Sequence, residues 1–595
     1  MKRGISKISV CLLACLSGLV SDAADAKRKQ MSADELRRHI LETRSAPLTN
    51  LNVRTVLNVC DFGAVPDDGR DDRPAIAAVV SRARSLKGPV QVRFDPGRYD
   101  IQAATESFDD GRRENSAVCL QDCSELLIDG AGAELLIHRP DISVFRIDNS
   151  TNLIIRNFTI DYDPLPFSQG TIESVDAASG SFILKLNDGF PRPDAPFFKS
   201  CDSWGMLKDA TRPGRLKANC PSFFVYQDIV SIDDEHFRMV LKNAAQIRSF
   251  AVGDSFAIVG RSASIGLYQD SDNITFDHIT AYACPSPVFI GEETSRLNVL
   301  NCRMELKGNR LLSNGGGGVI CQASRIGPWV ENCDFEGLSD DCLNIYGLPI
   351  YILEQLSPTA LRVYAKAAIH AGDRLVFFNP DEGKVIQDTT VISFFDNTLV
   401  VSDPVGSLNI VPPGTERPRG DPRAWKIYDH AYNLNAVGNY YVYRNNVMHD
   451  GRRFGTLLRA SQGLIENNRF EGLSHSGICI ENEPGWPEGF WAQNLIVSSN
   501  RITECGYIGS NPSVRIAGLK LNGIMDAPIQ KNIYILDNKF HAVSGPAADL
   551  NGVEGLVIER NVFGSESATG PLVVGENITG LSIRGNAGES RFRFQ

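Results

Sequence analysis

Short apolar alternations recur along the chain, each with a polar break inside it: "TNLIIRNFTID" at 151, "DNITFDHITAY" at 272, "SRLNVLNCRME" at 295, "QGLIENNRFEG" at 462, "KNIYILDNKFH" at 531 and "EGLVIERNVFG" at 554. Each phrase reads as a short strand, a bend that usually holds Asn, and a second short strand. Consecutive copies lie roughly 23 to 24 residues apart, the length of one solenoid coil. One such unit cannot bury its own apolar face. Stacked units share a Val, Ile, Leu and Phe interior, and each Asn can hydrogen-bond its equivalents in the neighbouring coils. The pattern predicts an all-β chain folded as a right-handed parallel β-helix.

The rhythm fails twice. Residues 166–262 and 349–430 hold longer alternating strands joined by Asp, Gly and Ser turns, such as "GTIESVDAASGSFILKLNDGFP" and "VISFFDNTLVVSD". They are expected to form two small antiparallel β-barrels inserted into the helix. The expected organisation is a cap with the first coils at 27–165, one barrel at 166–262, central coils at 263–348, a second barrel at 349–430 and C-terminal coils at 431–595. Insertions on one face of a solenoid wall a binding groove. Ahead of the first coils, Ile76, Val79, Val80 and Ala83 recur at helical spacing, predicting a helix that caps the open coil edge. Asp67, Asp68, Asp71 and Asp72 before it suit turn and N-cap use better than a calcium loop.

Composition narrows the partners. A net charge of −11 with 22% charged residues argues against nucleic acid or an anionic membrane surface as the main partner. Lys2, Arg3 and Lys7 precede "ISVCLLACLSGLV" and the small-residue stretch "SDAADA", which predicts a signal peptide over residues 1–26 and an exported protein. The alternative is a lipoprotein leader, "LLAC", that would leave Cys15 acylated. No later stretch reaches the roughly 18 uninterrupted apolar residues of a membrane span. Twelve cysteines follow the leader without zinc spacing, and Cys302 and Cys333 recur at one phase of the repeat, so buried thiols are expected. No metal and no cofactor is demanded; "GGGG" at 315–318 lacks the Lys-Ser/Thr of a phosphate loop.

The candidate chemistry sits in "GLSDDCLNIYG" at 337–347. Alternation sends Leu343 and Ile345 inward together with Asp341, leaving Asp340, Asn344 and Tyr346 outward. An ionised Asp341 inside an apolar core would cost several kcal/mol, so the bend must turn it outward, or it must be paired or protonated. Two close carboxylates split their pKa values and can supply a proton donor and a base at one pH, as glycoside hydrolysis requires. On these residues alone a turn at Ser339-Asp340-Asp341 is the better reading of the pair.

The segment "LLSNGGGGVICQASRIGPWVENCDFEGLSDDCLNIYG", with "LNDGFPRP", the two predicted barrels, and "LLRASQGLIENNRFEGLSHSGICIENE" followed by "WPEGFW", resembles glycoside hydrolase family 110, the α-1,3-galactosidases. That resemblance covers nearly the whole chain after the leader. It implies metal-independent, inverting release of terminal α-1,3-linked galactose, as on blood group B type glycans. Asp340 and Asp341 would then be the catalytic carboxylates, with Asn344 fixing one of them. The chain departs from the family pattern where an acidic residue and a His are expected, reading Gly317 and Ile320; if that acid is essential, the enzyme is impaired, has changed substrate, or borrows a carboxylate such as Glu292, Glu293 or Glu483. Arg459 in "LLRAS", Glu483 in "ENEP", and Trp486 and Trp491 in "GWPEGFW" are candidates for binding an oligosaccharide or glycoconjugate, because indole faces stack on pyranoses and Arg or Glu bond hydroxyls. Alternatively the tryptophans pack a loop onto the helix and Arg459 is a surface charge. A hydrolase or lyase acting on another glycan such as polygalacturonate, and a noncatalytic carbohydrate-binding solenoid, stay open.

Overall fold

A computed structural model describes residues 30–102, 116–415, 422–543, 545–566 and 569–595; the leader and Cys15 lie outside the described residues. Parallel strands stack coil on coil from Thr55–Asn58 to Phe592–Phe594. One inward column shows how alternation builds the core. Ile155, Phe276, Val299, Val330, Tyr443, Ile465, Val497 and Ile535 pair in succession across neighbouring coils, and all are buried in one continuous cluster.

The bends carry the expected ladder. The side-chain amide of Asn446 donates to Asn468 Oδ1, and the same bond repeats through Asn500, Asn538, Asn561 and Asn586 at 2.9–3.0 Å. Each amide nitrogen from Asn446 to Asn561 also donates to a carbonyl of the preceding coil, such as Val330 O for Asn446. These buried amides are therefore satisfied by their own repetition. The residue before each ladder Asn takes the left-handed conformation that makes the bend, as at Asn445, Asn467 and Ser499. Upstream, Cys333 holds the ladder position, its N–H donating to Asn446 Oδ1 at 2.9 Å. The twelve cysteines from Cys60 to Cys505 are free thiols, and Cys302 and Cys333 are buried.

Helix α2, Arg73–Arg84, buries Ile76, Val79, Val80 and Ala83 against the first coils. The acidic residues before it serve turns: Asp68, Asp71 and Asp72 accept from the N–H groups of Arg70, Arg73 and Val65. The pattern reading missed helix α1, Ala33–Arg44, which opens on a capping box of Ser32 and Glu35. Its Leu36 and Ile40 lie across the outside of the coils on Leu300, Trp329, Val442 and Leu464.

Strands Phe167–Asp176, Ser181–Leu186, Trp204–Lys208, Phe224–Ser231, His236–Leu241 and Ser255–Val259 close into one antiparallel barrel. Pro349–Ser357, Ala360–Tyr364, Arg374–Asn379, Lys384–Phe395, Thr398–Val401 and His430–Asn433 close into a second. Each has an apolar core separate from that of the helix. No helix among the described residues is long and apolar enough to cross a membrane.

Candidate active site

The strand Leu343–Tyr346 pairs with Val319–Gln322 on one side and Thr456–Leu458 on the other. Leu343 and Ile345 point into the core, while Asn344 and Tyr346 face a cavity of about 630 Å³. The bend before the strand breaks the alternation: Cys342 turns inward, and Asp340 and Asp341 both face the cavity. The first barrel and its exit supply Trp204, Phe223, Lys242 and Arg261 to the wall, the connection between the second barrel's strands Thr398–Val401 and His430–Asn433 supplies Arg423, and the loop after Ile478–Glu481 supplies Glu483, Trp486 and Glu488.

The two aspartates have different surroundings. Arg261 Nη2 donates to Asp340 Oδ2 at 2.6 Å, Arg452 Nη1 donates to Oδ1 at 3.2 Å, and Arg453 lies 3.7 Å away. Burial would raise the Asp340 carboxyl, but these arginines hold it far below the usual carboxylate range. Asp341 is nearly closed to solvent, its side chain 6% exposed. It accepts from Asn344 Nδ2 at 3.2 Å, while its other oxygen has no hydrogen-bond partner and stands 3.3 Å from Arg453 Nε. Burial pushes Asp341 up to about 6, with the charges of Asp340 and Glu483 adding to the rise and Arg453 opposing it.

Beneath the cavity lies Arg459, wholly buried rather than on the surface. It donates to Asn344 Oδ1 at 2.7 Å, pairs with Glu483, and meets Glu488 at 3.1 Å. It therefore positions three groups that do face the cavity. Trp486 lies at the rim, 42% exposed, with the Arg423 guanidinium 4.3 Å from its ring. Trp491 does not line the cavity. It packs on Phe490, with ring centres 4.4 Å apart, in a cluster with Val376 and Phe378 of the second barrel, so it anchors the loop.

Gly317 is closely confined. A Cβ there would sit 2.5 Å from the Asp341 carbonyl oxygen, so no side chain fits without moving the backbone, and Ile320 lines the cavity beside it. Glu292 and Glu293 are not part of the cavity wall, whereas Glu483 is. Sequence reasoning missed Arg261, Arg452, Arg453, Trp204 and Glu488. "GRRFG" at 451–455 lies one coil beyond the Asp pair, and Glu488 stands inside the "GWPEGFW" motif itself. Arg261 and Trp204 belong to an insertion and carry no repeat signal.

A family model described as a right-handed β-helix region matches residues 433–587. An α-1,3-galactosidase A of Streptomyces avermitilis is 21% identical over 89% of this chain and 92% of its own length. An α-1,3-galactosidase B of Bacteroides thetaiotaomicron is 23% identical over 85% of this chain and 86% of its own. Among solved structures, the A-module of a mannuronan C-5 epimerase from Azotobacter vinelandii covers 90% of this chain and 97% of that one, at 14% identity and a TM-score of 0.43. Together with the carboxylate cluster on a parallel β-helix, the named relatives define the class: the chain is a glycoside hydrolase.

Proposed function

We propose that this hydrolase is an exo-acting, inverting α-1,3-galactosidase that removes terminal α-1,3-linked galactose from glycans, blood group B type structures among them. The sugar and linkage rest on the relatives named above, which align over most of both chains. The observation that carries the chemistry is the unlike pair in one cavity: Asp340, fixed as an anion by arginines, beside Asp341, which titrates near neutrality. A permanent negative charge suits the cationic character that develops at the anomeric carbon, and a carboxylate that is ionised at neutral pH suits removal of a proton from the attacking water. The exposed ring of Trp486 suits the apolar face of a pyranose at the cavity mouth. On the reading of residues 1–26 as a leader, the enzyme works outside the cytoplasm.

The test incubates the purified protein with p-nitrophenyl α-galactoside and with linear and branched α-1,3-galactosyl oligosaccharides, following the first-formed anomer by proton NMR. Early β-galactose, lost in Asp340→Asn and Asp341→Asn, supports the proposal; early α-galactose rejects inversion. A second reading, hydrolysis of an acidic glycan, is favoured by Lys242 and Arg423 on the cavity wall. Release of reducing sugar from polygalacturonate with none from the galactosides would put that reading first.

A further inference from the structure

An inverting hydrolysis needs a proton for the departing oxygen as well as a base for water. The aspartate pair does not supply both at neutral pH. Asp340 is held ionised by Arg261, Arg452 and Arg453, and Asp341 has lost most of its proton above about 6. The wall at Gly317 and Ile320 supplies no carboxyl, because a Cβ at 317 would collide with the Asp341 carbonyl. Three other carboxyls line the cavity, Asp202 beside the first barrel's Trp204 and the two glutamates Glu483 and Glu488, which pair with the arginines that hold Asp341 and Asn344. Glu483 faces an arginine on each oxygen, Arg459 at Oε2 and Arg453 at Oε1. Among the described residues, the ion pair at Glu488 is with Arg459, 3.1 Å from one oxygen.

We propose that Glu488 is the acid of the reaction, placed on the loop that carries Trp486 so that its proton reaches the glycosidic oxygen while Asp341 serves the water; this rests on the glycosidase reading of the same cavity. Asp341 takes a proton from water as the water oxygen bonds to the anomeric carbon. The bond from that carbon to the glycosidic oxygen breaks with its electron pair left on oxygen, and Glu488 protonates that oxygen. The products are the inverted sugar and a free hydroxyl, with Asp341 protonated and Glu488 ionised until solvent exchanges the proton back.

Placement and charge agree with this division. The Glu488 side chain is 18% exposed against 6% for Asp341, so the base is the more enclosed group and the acid the one more open to solvent. The groups that act on Glu488 are Arg459 and Arg453, the carboxyls of Glu483 and Asp341, and the phenols of Tyr346 and Tyr432. Burial pushes Glu488 up to about 7; Glu483 and Asp341 add to that rise, and Arg459 and Arg453 oppose it. Arg459 also holds Asn344, the donor to Asp341, so one buried guanidinium links the proposed acid to the proposed base.

The experiment compares Glu488→Gln and Glu488→Asp with the wild type on a galactosyl oligosaccharide and on α-galactosyl fluoride, whose leaving group needs little protonation, alongside a panel of other glycosides. Glu488→Gln should lose about 10²- to 10⁴-fold in kcat/KM on the oligosaccharide and stay within about tenfold of wild type on the fluoride. The wild type's alkaline pH limb on the oligosaccharide should be weak or absent on the fluoride, and Glu488→Asp should recover part of the oligosaccharide rate. Equal losses on both substrates mean a positioning role, and unchanged rates mean no role; either overturns the proposal. If the wild type cleaves a different glycoside and Glu488→Gln shows the same leaving-group split there, galactose is wrong and the acid stands. No hydrolysis anywhere in the panel overturns both.

Discussion

Along the C-terminal coils the bends carry a column of neutral amides from Asn446 to Asn586. On the cavity side, the bends stack Gly317, the Asp340–Asp341 pair, Arg452 with Arg453, and His475 instead. In the first column each amide is met by the same residue type one coil away and by backbone groups of the neighbouring coils. In the second no residue is met by its own kind, and satisfaction comes from a distance: Arg261 from the exit of the first barrel, Arg459 from beneath, Glu483 and Glu488 from a loop. The amide column can repeat indefinitely at no electrostatic cost. The charged column works only as a closed set, and its carboxyls keep unlike protonation states because burial and arginines act on each differently.

That contrast can be broken at graded strength. Asp341→Asn should lower kcat about 10²- to 10⁴-fold while the melting temperature holds or rises, because a buried charge is removed without a cavity; differential scanning calorimetry beside the rate assay checks both halves. Arg459→Met should cost about 3–5 kcal/mol in urea unfolding, since Glu488 loses its cation and Glu483 keeps only Arg453. Asn500→Ala should cost about 1–3 kcal/mol, because Asn468 and Asn538 each lose a ladder partner, with kcat unchanged at 25 °C. Trp486→Ala should raise KM by up to about tenfold, the equivalent of ~1.4 kcal/mol of stacking, whereas Trp491→Ala should leave KM alone and lower the melting temperature.

The same contrast explains what was legible in the residues alone. The coil repeat announced the β-helix and its Asn column because each coil restates the rule, and the two barrels showed as failures of that rhythm. The Asp pair was visible as an oddity in a strand pattern, and the turn that brings Asp341 outward was one of the three resolutions, with pairing and protonation, that the cost of burying its charge left open. Arg261 and Trp204 were not visible, for an insertion places them by barrel closure and not by coil register. Glu488 lay unread between two tryptophans, one at the cavity rim and one in a packing cluster. Helix α1 was missed despite its Ser32 and Glu35 capping box, because its partners are the outward faces of coils more than 250 residues away.

The most direct test is the pH dependence of wild-type kcat/KM on an α-1,3-galactosyl oligosaccharide, whose departing oxygen needs a proton. Burial raises both working carboxyls, so the base form of Asp341 is lost as pH falls through about 6 and the acid form of Glu488 is lost as pH rises through about 7. The account predicts a bell with its maximum between those limbs, which belong to the linked cluster and not to single residues. A rate that stays flat from about pH 5 to 9, or one that climbs to its plateau near the ordinary carboxylate range of about 4, would contradict it.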